Sequence, residues 1–154
     1  MRQNLSRAKN INEATQHDIK LELDVRCQKL IERTLRRAFP TVAILGEEGI
    51  LGDPSAPARW VVDPIDGTVN YAYAIPHAGV SIALQHRGRS VVAVIYDPFA
   101  DELWTTIKGE PTQVNGKVVR VSTRSKIEDS IIAMGFSKSQ DNLEKSLPHL
   151  IRIS

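Results

Sequence analysis

The chain has 154 residues, enough for one domain with a sizeable core, and its 42% hydrophobic and 25% charged residues are those of an ordinary globular protein. A formal charge of +2 singles out no nucleic acid or other polyanion as a partner. The single Cys27 excludes an internal disulfide, no apolar run approaches a membrane span and no leader pattern opens the chain, so a cytoplasmic protein without membrane contact is expected.

In the polar first 17 residues, Leu5, Ala8 and Ile11 are spaced for one side of a short helix. Ile19, Leu21 and Leu23 alternate, which predicts an extended segment over 18–24. From Val25 the spacing becomes helical through Leu30, Ile31, Leu35 and Ala38, with Asp24 as the N-cap and Pro40 as the stop. Cys27 lies inside that apolar pattern and reads as a small buried hydrophobe. Arg33, Arg36 and Arg37, like Arg87 and Arg89, read as solvated faces. A strand is predicted over 41–45, leading into Gly46-Glu47-Glu48-Gly49, and Pro54 and Pro57 make 53–58 a loop.

The chain is organised around Trp60-Val61-Val62-Asp63-Pro64-Ile65-Asp66-Gly67-Thr68-Val69-Asn70-Tyr71. A short apolar strand, Trp60 to Val62, ends in two carboxylates three residues apart. Pro64 biases Asp63 toward an extended backbone and Gly67 permits a tight turn. Carboxylates and backbone oxygens at a strand end suit a hard divalent cation, and unpaired N–H groups beside them suit a phosphate. Asp-Pro and Asp-Gly are also ordinary turn chemistry, so the hexapeptide alone does not decide the matter. The D-x-D-G-T loop of haloacid-dehalogenase-like enzymes does not fit, because its aspartates are two apart and these are three apart.

Downstream, a helical turn is expected within 71–77, then strands over 78–86 and 91–96 joined at Arg87-Gly88-Arg89. A turn at 97–101 precedes a strand over 102–107, and Asn115-Gly116 signals a hairpin between short strands near Val114 and 117–121. A last strand is expected over 130–134. Leu143, Leu147, Leu150 and Ile151 predict an amphipathic helix over 141–153 whose stripe packs into the core. Early helices followed by hairpin-connected strands mean an α+β fold with a largely antiparallel sheet. The four histidines show no metal-ligand spacing.

Gly46-Glu47-Glu48 followed by the whole Trp60–Tyr71 stretch resembles the inositol monophosphatase family, magnesium-dependent phosphatases of small phosphate monoesters. Asp18-Ile19-Lys20-Leu21-Glu22-Leu23-Asp24, Val80-Ser81-Ile82-Ala83-Leu84, Tyr96-Asp97-Pro98 and Asn115-Gly116 extend the resemblance from about Asp18 to Phe136. It implies the N-terminal αβ half of a layered αβαβα sandwich with flanking helices, over 1–154 as a single domain. It also implies Mg²⁺ as the cofactor, with Glu47, Asp63, the main-chain carbonyl of Ile65, and Asp66 as ligands. Asp66, Gly67 and Thr68 would hold the substrate, the last two through their N–H groups. Thr68, Asp24 and Glu47 would be catalytic, with Thr68 and Asp24 orienting or deprotonating the attacking water. Glu48 matches a family position with a less direct role.

Three departures accompany the resemblance. Glu13 stands where the family often has a Lys, and Lys108-Gly109-Glu110-Pro111-Thr112 rebuilds its KG-x-GA element. Family members also continue into a second αβ half, whose W-D-x-A-A-G motif completes the second metal site; no such motif occurs here. The expectation is therefore a metal-dependent phosphomonoesterase acting on an inositol monophosphate-like substrate, impaired as an isolated chain and holding one ion weakly. Self-association, as a homodimer or larger, is expected of the uncovered face. The alternatives are a 3′(2′),5′-bisphosphate nucleotidase or fructose-bisphosphatase-like activity, or a non-catalytic interaction module.

Overall fold

The computed structural model describes residues 1–6, 11–14, 19–47, 49–133 and 140–153. A 3-10 turn, Arg2–Asn4, opens the chain. Strands β1 (Ile11–Ala14) and β2 (Ile19–Leu21) then pair antiparallel as a two-stranded ribbon. Ile11 thus lies on a strand, not on the short helix its spacing suggested; Ala8 lies outside the described residues. Three apolar residues are too few to offset the cost of nucleating a helix, whereas pairing with β2 satisfies the backbone directly.

Helix α1 (Glu22–Ala38) begins three residues earlier than its apolar spacing indicates. Asp24 is therefore not the N-cap: it sits within the first turn, and its Oδ2 accepts from the Leu21 N–H at 2.8 Å. The carboxylate reaches back to cap the turn from inside, as the acidic member of a capping box does. At the other end the Phe39 N–H closes on Leu35 O at 2.7 Å, and Pro40 prevents continuation. One face of α1 lies on the sheet, where the Phe39 and Trp60 rings meet at 5.3 Å between centroids, tilted by 51°. Gln28 is buried in that contact, and a Cβ on Gly46 would stand 2.6 Å from Gln28 Nε2. Only glycine lets the helix approach the strand this closely.

The main sheet has eight strands: β3 (Ala43–Gly46), β4 (Gly49–Leu51), β5 (Ala58–Asp66), β6 (Gly79–His86), β7 (Arg89–Asp97), β8 (Glu102–Ile107), β9 (Gln113–Val114) and β10 (Lys117–Val118). Their order is β10-β9-β8-β7-β6-β5-β3-β4. Every pairing is antiparallel except β3 with β5, which is parallel. The fold is thus α+β with a mixed, mostly antiparallel sheet. The Asn115-Gly116 hairpin forms as its sequence predicts, with both residues at positive φ (49° and 78°) as a two-residue turn of this twist requires. The short strand β4 was not foreseen, because Gly49-Ile50-Leu51 offers no alternation to read.

Strand β5 runs on to Asp66, past the expected end at Val62. Pro64 is accommodated because the β5–β6 register shifts between Asp63 and Asp66, where no ladder N–H is needed from it. The shift breaks strict alternation, so Val62, Pro64 and Ile65 are all buried while Asp63 is only partly covered and Asp66 is exposed. A five-residue helix, α2 (Thr68–Ala72), follows immediately, earlier than the expected turn within 71–77. Ile65, Leu21 and Tyr71 form the buried cluster beneath it, with Met1, Leu5 and Phe99 packed around them.

The chain divides into two compact units, Met1–Arg120 and Val121–Ser154. In the second unit, residues 130–133 are exposed and form no strand, contrary to expectation, and Met134 lies outside the described residues. Ser130 instead ends a 3-10 turn, Ile127–Asp129, through its N–H to Ile127 O. Helix α3 (Gln140–Ile153) forms where expected, with Pro148 inside it. Of its stripe, Leu143, Leu147 and Ile151 are 37%, 40% and 72% exposed rather than core, and the Leu150 side chain lies outside the described residues.

Candidate metal and phosphate site

The site grows from the carboxyl ends of the only parallel strand pair among the described residues, the place where open sheets leave a crevice for ligands. Leu45 is in register with Val61. Strand β3 ends at Gly46, so Glu47 follows in the turn to β4, at the same end of the parallel pair as Asp63. Glu47 is exposed at the β3–β4 turn, and Glu48 lies outside the described residues.

At the end of β5, the Asp63 Oδ1 accepts from the Ile65 N–H at 3.1 Å, which pins the carboxylate over the register shift. Burial pushes the Asp63 carboxyl above its ordinary range, and the Asp66 charge adds to that push, offset only in part by the Ile65 N–H. The Asp66 charge reaches Asp63, and carboxylate oxygens are donors of the type a hard divalent cation takes. Among the described residues, no three His, Cys, Asp or Glu side chains gather round one point.

The Ile65 carbonyl faces Thr68, whose Oγ1 donates to it at 2.8 Å. That bond commits the hydroxyl proton and leaves the oxygen lone pairs as acceptors. Gly67, between them, has φ +90° and ψ 35°, and a Cβ there would stand 2.8 Å from His77 O. Behind α2, the Asn70 Nδ2 donates to His77 O at 3.0 Å and the Ile75 N–H to Asn70 O at 2.8 Å, which ties 75–77 to the short helix. The first-turn N–H groups of α2 have no partner within the helix, by its geometry.

Asp24 stands apart in character. It is 2% exposed and bonded to the Leu21 N–H; burial, then Cys27 and last the Asp24 charge raise the Tyr71 phenol. Burial likewise raises the half-buried Cys27 thiol. Cys27 is thus not the fully buried hydrophobe expected. Tyr71, fully buried, donates from its hydroxyl to Met1 O at 3.0 Å and anchors the chain start under the site.

In front of the site a cleft of about 380 Å³ is lined by Asp66, Gly67, Asn70, Ser81, Asp97 and Trp104, among others. Reading the sequence for function had not placed Ser81, Asp97 or Trp104 there. The signal was register: Ser81 pairs with Asp63 and with Ile95, and Ile95 pairs with Trp104, so these share one sheet face.

Comparison with known proteins agrees with this architecture. The chain is 38% identical over 144 residues to the Nus factor SuhB of Pseudomonas aeruginosa, covering 90% of this chain and 53% of that protein. It is 40% identical over 116 residues to an inositol-1-monophosphatase of Rhizobium meliloti, covering 74% of this chain and 43% of that protein. The solved extragenic suppressor protein suhB of Bartonella henselae superposes with a TM-score of 0.89 at 33% identity, covering 98% of this chain and 59% of that one. The chain thus spans about half the length of the relatives it matches. A family model matches residues 1–150, and the chain belongs to the inositol monophosphatase family.

Proposed function

We propose that the chain carries the metal-and-phosphate corner of a metal-dependent phosphomonoesterase that hydrolyses a small, inositol monophosphate-like ester by attack of water. The observation that carries this reading is the Asp63–Ile65–Asp66 corner, with Thr68 donating to the Ile65 carbonyl and the Gly67 turn beside it. Asp63, Asp66, the Ile65 carbonyl and Glu47 would hold Mg²⁺, which suits their all-oxygen chemistry and would relieve the repulsion that raises Asp63. When bound, that ion supplies a more acidic water and offsets phosphoryl charge.

The chain's own groups do the rest. The Gly67 and Thr68 N–H groups hold phosphate oxygens, and the rigid αL turn keeps their directions constant. The Thr68 oxygen, its proton engaged by Ile65, accepts from the attacking water and aims it at phosphorus. In this reading Asp24 supports that geometry from below, through the buried layer it shares with Tyr71. The substrate, the activity of the whole protein and a homodimeric state belong to the proposal, since the chain matches about half of its relatives.

The test is phosphate release from inositol 1-phosphate with Mg²⁺, alongside the Asp63→Asn variant. Loss of release by more than roughly tenfold, with loss of the Mg²⁺-dependent rise in melting temperature, is expected. Equal release by both proteins would remove the corner from the reaction. A second reading, an interaction module without turnover, is favoured by the relatives named Nus factor. Undiminished folding of the chain with no release under any divalent ion would support it.

A further inference from the structure

We infer that the end of the sheet opposite the Asp63–Asp66 corner is a docking surface for the phosphodiester backbone of a single-stranded nucleic acid. This surface is independent of the phosphatase reading. The near-neutral total charge conceals a separation of signs along β5, which spans roughly 25 Å from Ala58 to Asp66. Asp63 and Asp66 lie at its far end, and Asp97 pairs with Glu102 at the same end of the β7–β8 hairpin. The near end is basic.

Three elements build the basic end. On α1, Lys29, Arg33, Arg36 and Arg37 recur at helical spacing and line one open groove of about 500 Å³ with a single acidic residue, Glu32, and with Pro40 and Leu51. On β5, Arg59 pairs across to Gln85, to which its Nε donates at 3.1 Å. On the β6–β7 turn stand Arg87 and Arg89, held to this end by the Arg87 N–H on Pro57 O at 2.7 Å. The helix and strands meet through β3, whose first residue, Ala43, is in register with Arg59.

Few opposing charges are present there among the described residues. Glu32 accepts from Gln28 Nε2 at 2.8 Å, and Asp53 Oδ1 is bound by the Ser55 N–H and hydroxyl. Arg36 and Arg37 also complement the C-terminal dipole of α1, which explains their presence but not that of Arg59, Arg87 and Arg89.

The chemistry selects the occupant. The cations are arginine at all but one position, and guanidinium groups suit phosphate bidentately. Phe39, 46% exposed, next in sequence to Pro40 of the groove and backed by Trp60, offers a ring on which an unpaired base can stack. An acidic peptide would use the charge but not that ring.

The experiment is fluorescence anisotropy of a labelled oligouridylate of about 20 nucleotides against the full chain, titrated with salt. The triple variant Arg33→Ser, Arg36→Ser, Arg37→Ser should weaken binding at least tenfold and flatten the log Kd against log salt slope by roughly 2, from about 0.7 per lost phosphate contact. Lys117→Ser, Arg120→Ser, Arg124→Ser removes the same charge elsewhere and should leave binding within about twofold. Circular dichroism melts establish that both variants fold. The inference is overturned by absence of binding at about 50 mM salt, by equal losses in the two variants, or by tighter binding of a duplex or a polyglutamate of matched charge.

Discussion

Gly67 holds the left-handed backbone that turns β5 into α2 within one residue. Gly67→Ala meets both a positive φ and a carbonyl oxygen 2.8 Å from the new Cβ. It should lower stability by about 1–3 kcal/mol in urea unfolding, and more than the same change at Gly88, which meets nothing. Asp63 is the second decisive residue. Its folded pKa is raised above the unfolded value, so the stability it contributes is present below the unfolded value and lost as pH rises through the folded one. At pH 7, without divalent ions, its ionised form is a cost. Asp63→Asn should therefore melt higher than the parent in EDTA at pH 7, with the difference vanishing toward pH 3. Cys27 follows the same logic for reactivity: burial raises its thiol, so at pH 8 alkylation should be slower than for a free cysteine and should catch up at higher pH.

At the scale of elements, local patterns were reliable where one pattern settled the outcome. The helical spacing of α1, the Asn115-Gly116 turn and the strands β6 and β7 form where they were read. Asn115 illustrates how closely such a turn is held: its Oδ1 accepts from the Leu103 N–H at 2.8 Å and its Nδ2 donates to Asp101 O at 3.0 Å. Asn115→Ala should cost about 1–2 kcal/mol in thermal unfolding, through these bonds and the positive φ. Readings failed where a tertiary contact overrode local character. Pro64 announced a loop, yet β6 draws the strand on to Asp66 because a register shift spares the missing N–H. The α3 stripe announced core, yet an amphipathic face is a capacity for burial, not a contact.

Across the whole molecule, the division at Arg120 has an accessible consequence. Val121 and Ile131 are fully exposed, and 121–133 contain no strand. Limited trypsin digestion should cut first at Arg124 or Lys126 and leave a resistant fragment that includes the eight-stranded sheet, read by mass spectrometry. Early cutting inside β5–β8 would contradict the division. No helix among the described residues is long and apolar enough to cross a membrane.

The order of residues was sufficient for the family, through Gly46-Glu47-Glu48 and the Trp60–Tyr71 stretch, and for the α+β class. Those are local: they depend on which atoms occur and how closely they follow one another. The face that Ser81 and Trp104 share with Asp63, and the basic end built by α1 and the β6–β7 turn, are not local. They arise from strand register, which pairs residues far apart in the chain and is chosen by the burial of Ile44, Val62 and Ile65 rather than by the functional groups themselves.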